Sequence, residues 1–222
     1  VLPRLKTAGA CFTERIDRYF VLHNANELIT NCFERMMQLL EGKRVENPCM
    51  YESTDGNCII FPSFQLKSHG MNEDERLAQL LLQFKWKSIP TLASAYFNLP
   101  PFKIQNGLNV IVPSKEMHGF HNSKGSAGLI PSFYRWSLNN TSKKIRIFES
   151  KKQEISESHP LASCFHAKGF WAEGSDFNIT LIGSSNFNCR GYYRDFEFQL
   201  LIASRNSHQL ADRMRLDLKR IT

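Results

Sequence analysis

A mixed α/β fold, a sheet of short strands flanked by helices, is predicted by three features of this sequence. Six short runs rich in β-branched and aromatic residues fall between residues 89 and 204. Amphipathic helical patterns precede, interrupt and follow them. With 222 residues, 42% of them hydrophobic, the chain can bury a full core. Strands alternating with helices argue for a layered arrangement, the second half being richer in strands.

The first clear element is NELITNCFERMMQLLE, residues 26–41. There Leu28, Ile29, Cys32, Phe33, Met36, Met37 and Leu40 recur at helical spacing, and Gly42 offers a stop. Residues 42–58 are polar, carry Pro48, Gly56 and Asn57, and read as a loop. In NEDERLAQLLLQF, Asn72 is a candidate cap with Glu75 three residues later, a capping-box arrangement that predicts a helix of about three turns. Strands are then expected in IPTLASAYF, LNVIVPS, KKIRIFES, FHAKGFW, ITLIGSS and FEFQLLIAS, with helical patterns near 126–138 and 206–219. A weaker echo links FTERIDRYFVL near the start to CRGYYRDFEFQLL near the end, as a duplicated fold would.

Charge and composition narrow the function. Lys and Arg number 28 against 21 Asp and Glu, a net charge of +7 that favours anionic partners such as phosphates, nucleic acid or acidic lipid surfaces. Nucleic acid is not expected, because basic and aromatic residues are not interleaved as single-strand binding requires. The six cysteines include no CxxC pair and no zinc-like His spacing, so free thiols are expected. No apolar stretch approaches the roughly 20 residues of a membrane-spanning helix. The basic run RMRLDLKR near the end reads as a solvated helix face open to attraction by a membrane surface.

The chemistry concentrates in FHAKGFWAEGSDFNITLIGSSNFNCRGYYRDFE, residues 165–197. In an extended strand His166 and Lys168 share one face, while Phe165, Ala167 and Trp171 take the other. A neighbouring ITLIGSS strand can deliver Ser184 and Asn186 beside them, next to Gly183, whose missing side chain would let a ligand oxygen approach. Such a set suits a phosphodiester. An imidazole attacks phosphorus or protonates the leaving oxygen, and Lys, Ser and Asn supply charge and hydrogen bonds as negative charge develops. Alone, a strand histidine is usually a core residue and GSSN a turn. Together with Lys168, and with Glu197 downstream, chance is the minor explanation.

The pattern HxK followed by GSxN resembles the HKD motif of the phospholipase D superfamily. Within that superfamily FHAKGFW, LIGSSNF and RDFEFQL are similar to the second motif of the eukaryotic mitochondrial phosphatidylglycerophosphate synthases. SAYFNLP (94–100), HGFHNSKGSAGLIPSFY (118–134) and FTERIDRYFVL (12–22) extend the resemblance over nearly the whole chain. It implies a phospholipase D-like mixed sheet. Residues 1–45 would be the tail of a first half, 46–88 linker and helix, and 89–222 a second half bearing the motif.

The activity implied is phosphatidyl transfer from CDP-diacylglycerol to sn-glycerol 3-phosphate with release of CMP, without metal or cofactor. It would run through a phosphohistidine at a mitochondrial inner-membrane surface carrying anionic lipid. His166 and Lys168 carry over as the catalytic pair, with His166 in the acid's role. Ser184 and Asn186 carry over as phosphate-oxygen donors, and Glu197 as the residue that orients a histidine. Lys124 and Gly125 in the glycine-rich HNSKGSAG are expected to contact substrate. The motif's acidic position falls on Glu173, whereas counting back from Gly183 points to Asp176, and both stay open as supporting residues. No HxK precedes GACFTERIDRY, so the chain is expected to lack the first motif. Another HKD enzyme, such as cardiolipin synthase or a phosphodiesterase, and a non-catalytic lipid- or nucleotide-binding fragment are the alternatives.

Overall fold

The computed structural model describes residues 25–41, 51–53, 55–98, 102–105, 107–113, 144–150 and 167–221. In chain order these form α1 (Ala25–Leu40), β1 (Tyr51–Glu52), β2 (Cys58–Leu66), β3 (Met71–Asn72) and α2 (Glu73–Gln83). β4 (Thr91–Ser94), β5 (Leu108–Val112), β6 (Ile145–Glu149), β7 (Lys168–Glu173) and β8 (Phe177–Gly183) follow. The short α3 (Cys189–Tyr193), β9 (Glu197–Arg205) and α4 (Gln209–Ile221) complete the set. All nine strands join one sheet in the order β1-β2-β9-β8-β7-β4-β5-β6, with β3 also on β2. The β4–β5 and β5–β6 pairs are parallel, and the rest are antiparallel. The expected mixed sheet flanked by helices is therefore present.

Each face of the sheet is covered by helices, and strand alternation decides which residues go where. On one face Leu92, Val110, Phe170 and Leu181 pack with Ala78, Leu81 and Leu82 of α2 and with Tyr192 of α3. On the other, Cys58, Ile60, Leu200 and Ile202 meet Cys32 of α1 and Leu210 and Met214 of α4, while Trp171 packs near Leu218 and Ile221. Gly169 is needed on that second face because the Trp171 ring lies across it, 2.4 Å from where a Cβ would stand.

Two expectations differ from what is found. Segment 46–88, expected as linker and helix, contributes the nine-residue β2, paired along its length with β9. Its alternation is hidden because Pro62, Ser63, Phe64 and Gln65 are all buried. Pro62 fits because β1 and β3 leave residues 61–64 unpaired on the outer side of β2. Helices close that gap. Arg35 Nη1 of α1 donates to Pro62 O at 2.8 Å, the Phe64 N–H donates to Glu73 Oε2 at 3.0 Å, and Arg35 and Glu73 pair with each other.

The second difference concerns the start of α2, where Asn72 makes no side-chain capping bond. Its acids serve tertiary contacts instead. The Glu75 N–H donates to Gln65 Oε1 at 3.2 Å, and the Glu75 carboxylate takes Lys67 at 3.2 Å. The helical pattern near 126–138 lies outside the described residues.

Candidate active site

One cross-strand row ends the apolar face toward α2 and α3. Ser94 of β4 pairs with Lys168 of β7, and the antiparallel register continues from Lys168 to Gly183 of β8. Gly183 pairs with Gln199 of β9, and Gln199 with Ser63 of β2. One step nearer the strand end, Glu197 pairs with Gln65. The row is polar where Leu92, Phe170, Leu181 and Leu201 directly behind it are apolar, so a lysine, two serines and an amide border the core at one end of the sheet.

The loop after β8 is fixed by its own sequence. A Cβ on Gly183 would lie 2.2 Å from Phe198 O and 2.7 Å from Gln199 Cα. The missing side chain thus makes room for the β9 backbone, where the sequence had suggested room for a ligand oxygen. Ser184 then doubles as strand and site residue. Its N–H donates to Phe198 O at 2.9 Å, its hydroxyl accepts from the Phe198 N–H at 2.9 Å and donates to Glu197 Oε2 at 2.5 Å.

Phe187 plugs the core at 1% exposure. Asn188 accepts the Gly191 N–H at 2.7 Å as the N-cap of α3, and its amide donates to Tyr96 O at 3.1 Å. The Ser185 hydroxyl and Asn186 Oδ1 in this loop are buried and have no partner among the described residues. Two polar atoms so placed are available to a bound group.

Electrostatics tie the row together. Burial lowers the Lys168 ammonium below its usual range, and the charge of Glu197 works against that shift. Burial raises Glu197, while the Ser184 hydroxyl bond, Lys168 and Arg190 pull it back. A half-buried cation facing a buried carboxylate, with a hydroxyl bound to that carboxylate, is a ready cradle for one phosphoryl group.

The structure brings Lys168, Gly183, Ser184 and Glu197 to this end of the sheet, with Asn186 in the loop beyond Ser184. It does not bring the two motif carboxylates there. Glu173 closes β7 five residues from Lys168, roughly 16 Å along the strand, and pairs with Lys87 at 3.1 Å. Asp176 sits in the exposed β7–β8 turn, where Ser175 donates to its Oδ2 at 3.0 Å. His166, Lys124 and Gly125 lie outside the described residues.

Sequence reasoning passed over Ser63, Ser94, Gln199 and Asn188. Gln199 carried a usable signal: FEFQLL places Glu197 and Gln199 on one face of an otherwise apolar strand.

No family model matches the chain. Among curated proteins it is 32% identical to the mitochondrial CDP-diacylglycerol–glycerol-3-phosphate 3-phosphatidyltransferase of Gallus gallus, over 66% of this chain and 28% of that protein. It is 28% identical to the protein of the same activity from Schizosaccharomyces pombe, over 72% of this chain and 35% of the relative. The chain thus spans about a third of the length of the curated relatives it matches. Among solved structures it shares the fold of phosphatidylserine synthase from Haemophilus influenzae, with a TM-score of 0.54 and 19% identity over 74% of this chain and 38% of the other. The resemblance read from the second motif and its surrounding segments is borne out by these relatives.

Proposed function

We propose that the chain is the part of a CDP-diacylglycerol–glycerol-3-phosphate 3-phosphatidyltransferase that carries the second HKD motif. The observation that carries this reading is the convergence of Lys168, Ser184 and Glu197 at one strand end, in a chain 32% identical to such a transferase. Residues 1–45 are read as the tail of a first half and 89–222 as the second, with β2 of the intervening segment paired to β9 of the second half.

In the proposed reaction a histidine of the first motif attacks the phosphatidyl phosphorus of CDP-diacylglycerol. The P–N bond forms as the P–O bond to CMP breaks, and His166 gives its proton to the departing CMP oxygen. Glycerol 3-phosphate then attacks the same phosphorus through a hydroxyl. His166 takes the proton of that hydroxyl as the new P–O bond forms, the P–N bond breaks, and phosphatidylglycerophosphate leaves. Lys168 neutralises the nonbridging oxygens in both steps. Glu197 holds Ser184 in place and orients a histidine, while Asn186, Lys124 and Gly125 supply further contacts to substrate.

The substrate's acyl chains require a bilayer at the mouth of the site. Tyr193 and Phe196, 42% and 44% exposed, stand beside Glu197, and Lys67 lies 4.1 Å above the Tyr193 ring. Aromatic rings next to basic groups suit an interface carrying anionic lipid. No helix among the described residues is long and apolar enough to cross a membrane, so the docking is read as peripheral, on the mitochondrial inner membrane.

The test is CMP release from CDP-diacylglycerol in mixed micelles, with and without glycerol 3-phosphate, by the protein at the length of its relatives. Acceptor-dependent release that His166→Ala abolishes supports the reading. Full activity in that variant, or release with water or phosphatidylglycerol in place of glycerol 3-phosphate, overturns it.

A further inference from the structure

Three consecutive acids, Glu73, Asp74 and Glu75, open α2 against the back of the site, and among the described residues only the middle one lacks a cation. Arg35 pairs with Glu73 and Lys67 with Glu75. Asp74 is completely buried, and its Oδ1 accepts the Ser63 hydroxyl at 2.5 Å. Its Oδ2 has no partner among the described residues, and neither do Gln199 Nε2 and the Tyr192 hydroxyl, which are 1% and 0% exposed. Gln199 lies against the Asp74 carboxyl and, on β9, next to Gly183 in the row that contains Lys168.

An ionised Asp74 would be a dry anion with a hydroxyl and an amide beside it and no cation among the described residues. A protonated one is a donor, and with the Gln199 amide turned so that its oxygen faces Oδ2 both groups are satisfied.

We propose that Asp74 is a positioning residue of the phosphoryl site: it keeps a proton, donates it to Gln199, and so leaves Glu197 as the ionised carboxylate that faces Lys168 and holds Ser184. This rests on the reading of Lys168, Ser184 and Glu197 as the site. The charged and titratable groups around Asp74 agree with it. Glu73 and Glu75 of α2 and Glu197 of β9 are acids, Tyr192 of α3 is a buried phenol, and β2 offers only Ser63 and Gln65. Arg35, Lys67 and Lys168 stand with Glu73, Glu75 and Glu197 respectively. Burial pushes Asp74 up to about 7 against the opposing pull of the Ser63 and Gln199 side chains, with Glu197 and Glu73 adding to the rise. At Glu197 burial also raises the carboxyl, but there the Ser184 hydroxyl, Lys168 and Arg190 favour the ionised form.

The experiment is a carboxyl NMR titration of this chain labelled with ¹³C-aspartate. The Asp74 signal is assigned by its loss in Asp74→Asn. The proposal predicts a midpoint near 7 that falls in Glu197→Gln, where the neighbouring negative charge is gone. A midpoint in the ordinary carboxylate range, or one that Glu197→Gln leaves unmoved, overturns it. If Asp74→Asn does not fold, Asp74→Glu supplies the assignment by the same loss of one labelled aspartate signal.

The matching kinetic result is an alkaline limb of acceptor-dependent CMP release near neutrality that disappears in Asp74→Asn, which retains the acceptor for Ser63 and a donor for Gln199. An unchanged pH profile in Asp74→Asn also counts against the proposal. A titration as predicted in a protein that releases no CMP overturns the transferase reading and leaves the Asp74 assignment standing.

Discussion

The Ser184 hydroxyl donates to Glu197 Oε2 at 2.5 Å, across the last pair of a β8–β9 ladder whose backbone it also completes. A residue of the proposed phosphate site is therefore also part of the sheet's hydrogen-bond ladder. Ser184→Ala removes an acceptor from the Phe198 N–H and a donor from a buried carboxylate, and is expected to cost about 2 kcal/mol. Urea unfolding at neutral pH measures it. Activity should fall further than stability accounts for, because Glu197 then loses a bond that favours its ionised form.

Gly183 separates two kinds of glycine requirement. Gly183→Ala puts a methyl 2.2 Å from Phe198 O, in the middle of paired backbone, so β8 and β9 must part. It is expected to destabilise the fold by more than about 3 kcal/mol. Gly70, at φ 75° with nothing within 4 Å of where a Cβ would stand, is held by backbone conformation alone, and Gly70→Ala should cost only about 1 kcal/mol. Chemical denaturation of the two variants side by side checks the difference.

Asn188 bridges the 184–188 loop to the segment just after β4 through Tyr96 O and caps α3. Asn188→Ala is expected to lose about 1–2 kcal/mol and to loosen the 184–188 loop. Hydrogen exchange at the Gly191 amide is the direct readout, and it should quicken in the variant.

Stability should also depend on pH through Asp74. Its folded value of about 7 lies above the 3.8 of an unperturbed aspartate, so the folded state binds the extra proton between those values. Stability is then highest below pH 4 as far as this group is concerned, and falls as pH rises toward 7. Asp74→Asn removes that slope, gaining on wild type by on the order of 4 kcal/mol across the window. Denaturation midpoints of both proteins at pH 4, 5.5 and 7.5 test it.

Much of this is legible in the sequence alone. Leu28 through Leu40 announce α1 because one face must be apolar, and the six β-prone runs all fall on strands because their flanking turns and branched residues leave little choice. β2 escapes sequence reasoning for a physical reason: it is buried on both faces, so its alternation vanishes, and its Pro62 signals a break that Arg35 and Glu73 in fact accommodate. Types and spacing in the sequence anticipate that Lys168, Ser184 and Glu197 come together at one end of the sheet. Choosing between Glu173 and Asp176 needs the strand length, which places both at the opposite end of the β7–β8 hairpin. Asp74 reads as part of a helix start. Only the contacts reveal that its neighbours have cations and that it has none among the described residues.

The most direct test of the account compares Glu197→Gln with Glu173→Gln in acceptor-dependent CMP release from CDP-diacylglycerol. Glu197 stands at the Lys168 end of the sheet and Glu173 at the other, bound to Lys87. The account predicts a loss of roughly a hundredfold or more in Glu197→Gln and activity within about threefold of wild type in Glu173→Gln, whose exposed ion pair is worth little. Full activity in Glu197→Gln together with a collapse in Glu173→Gln would contradict it.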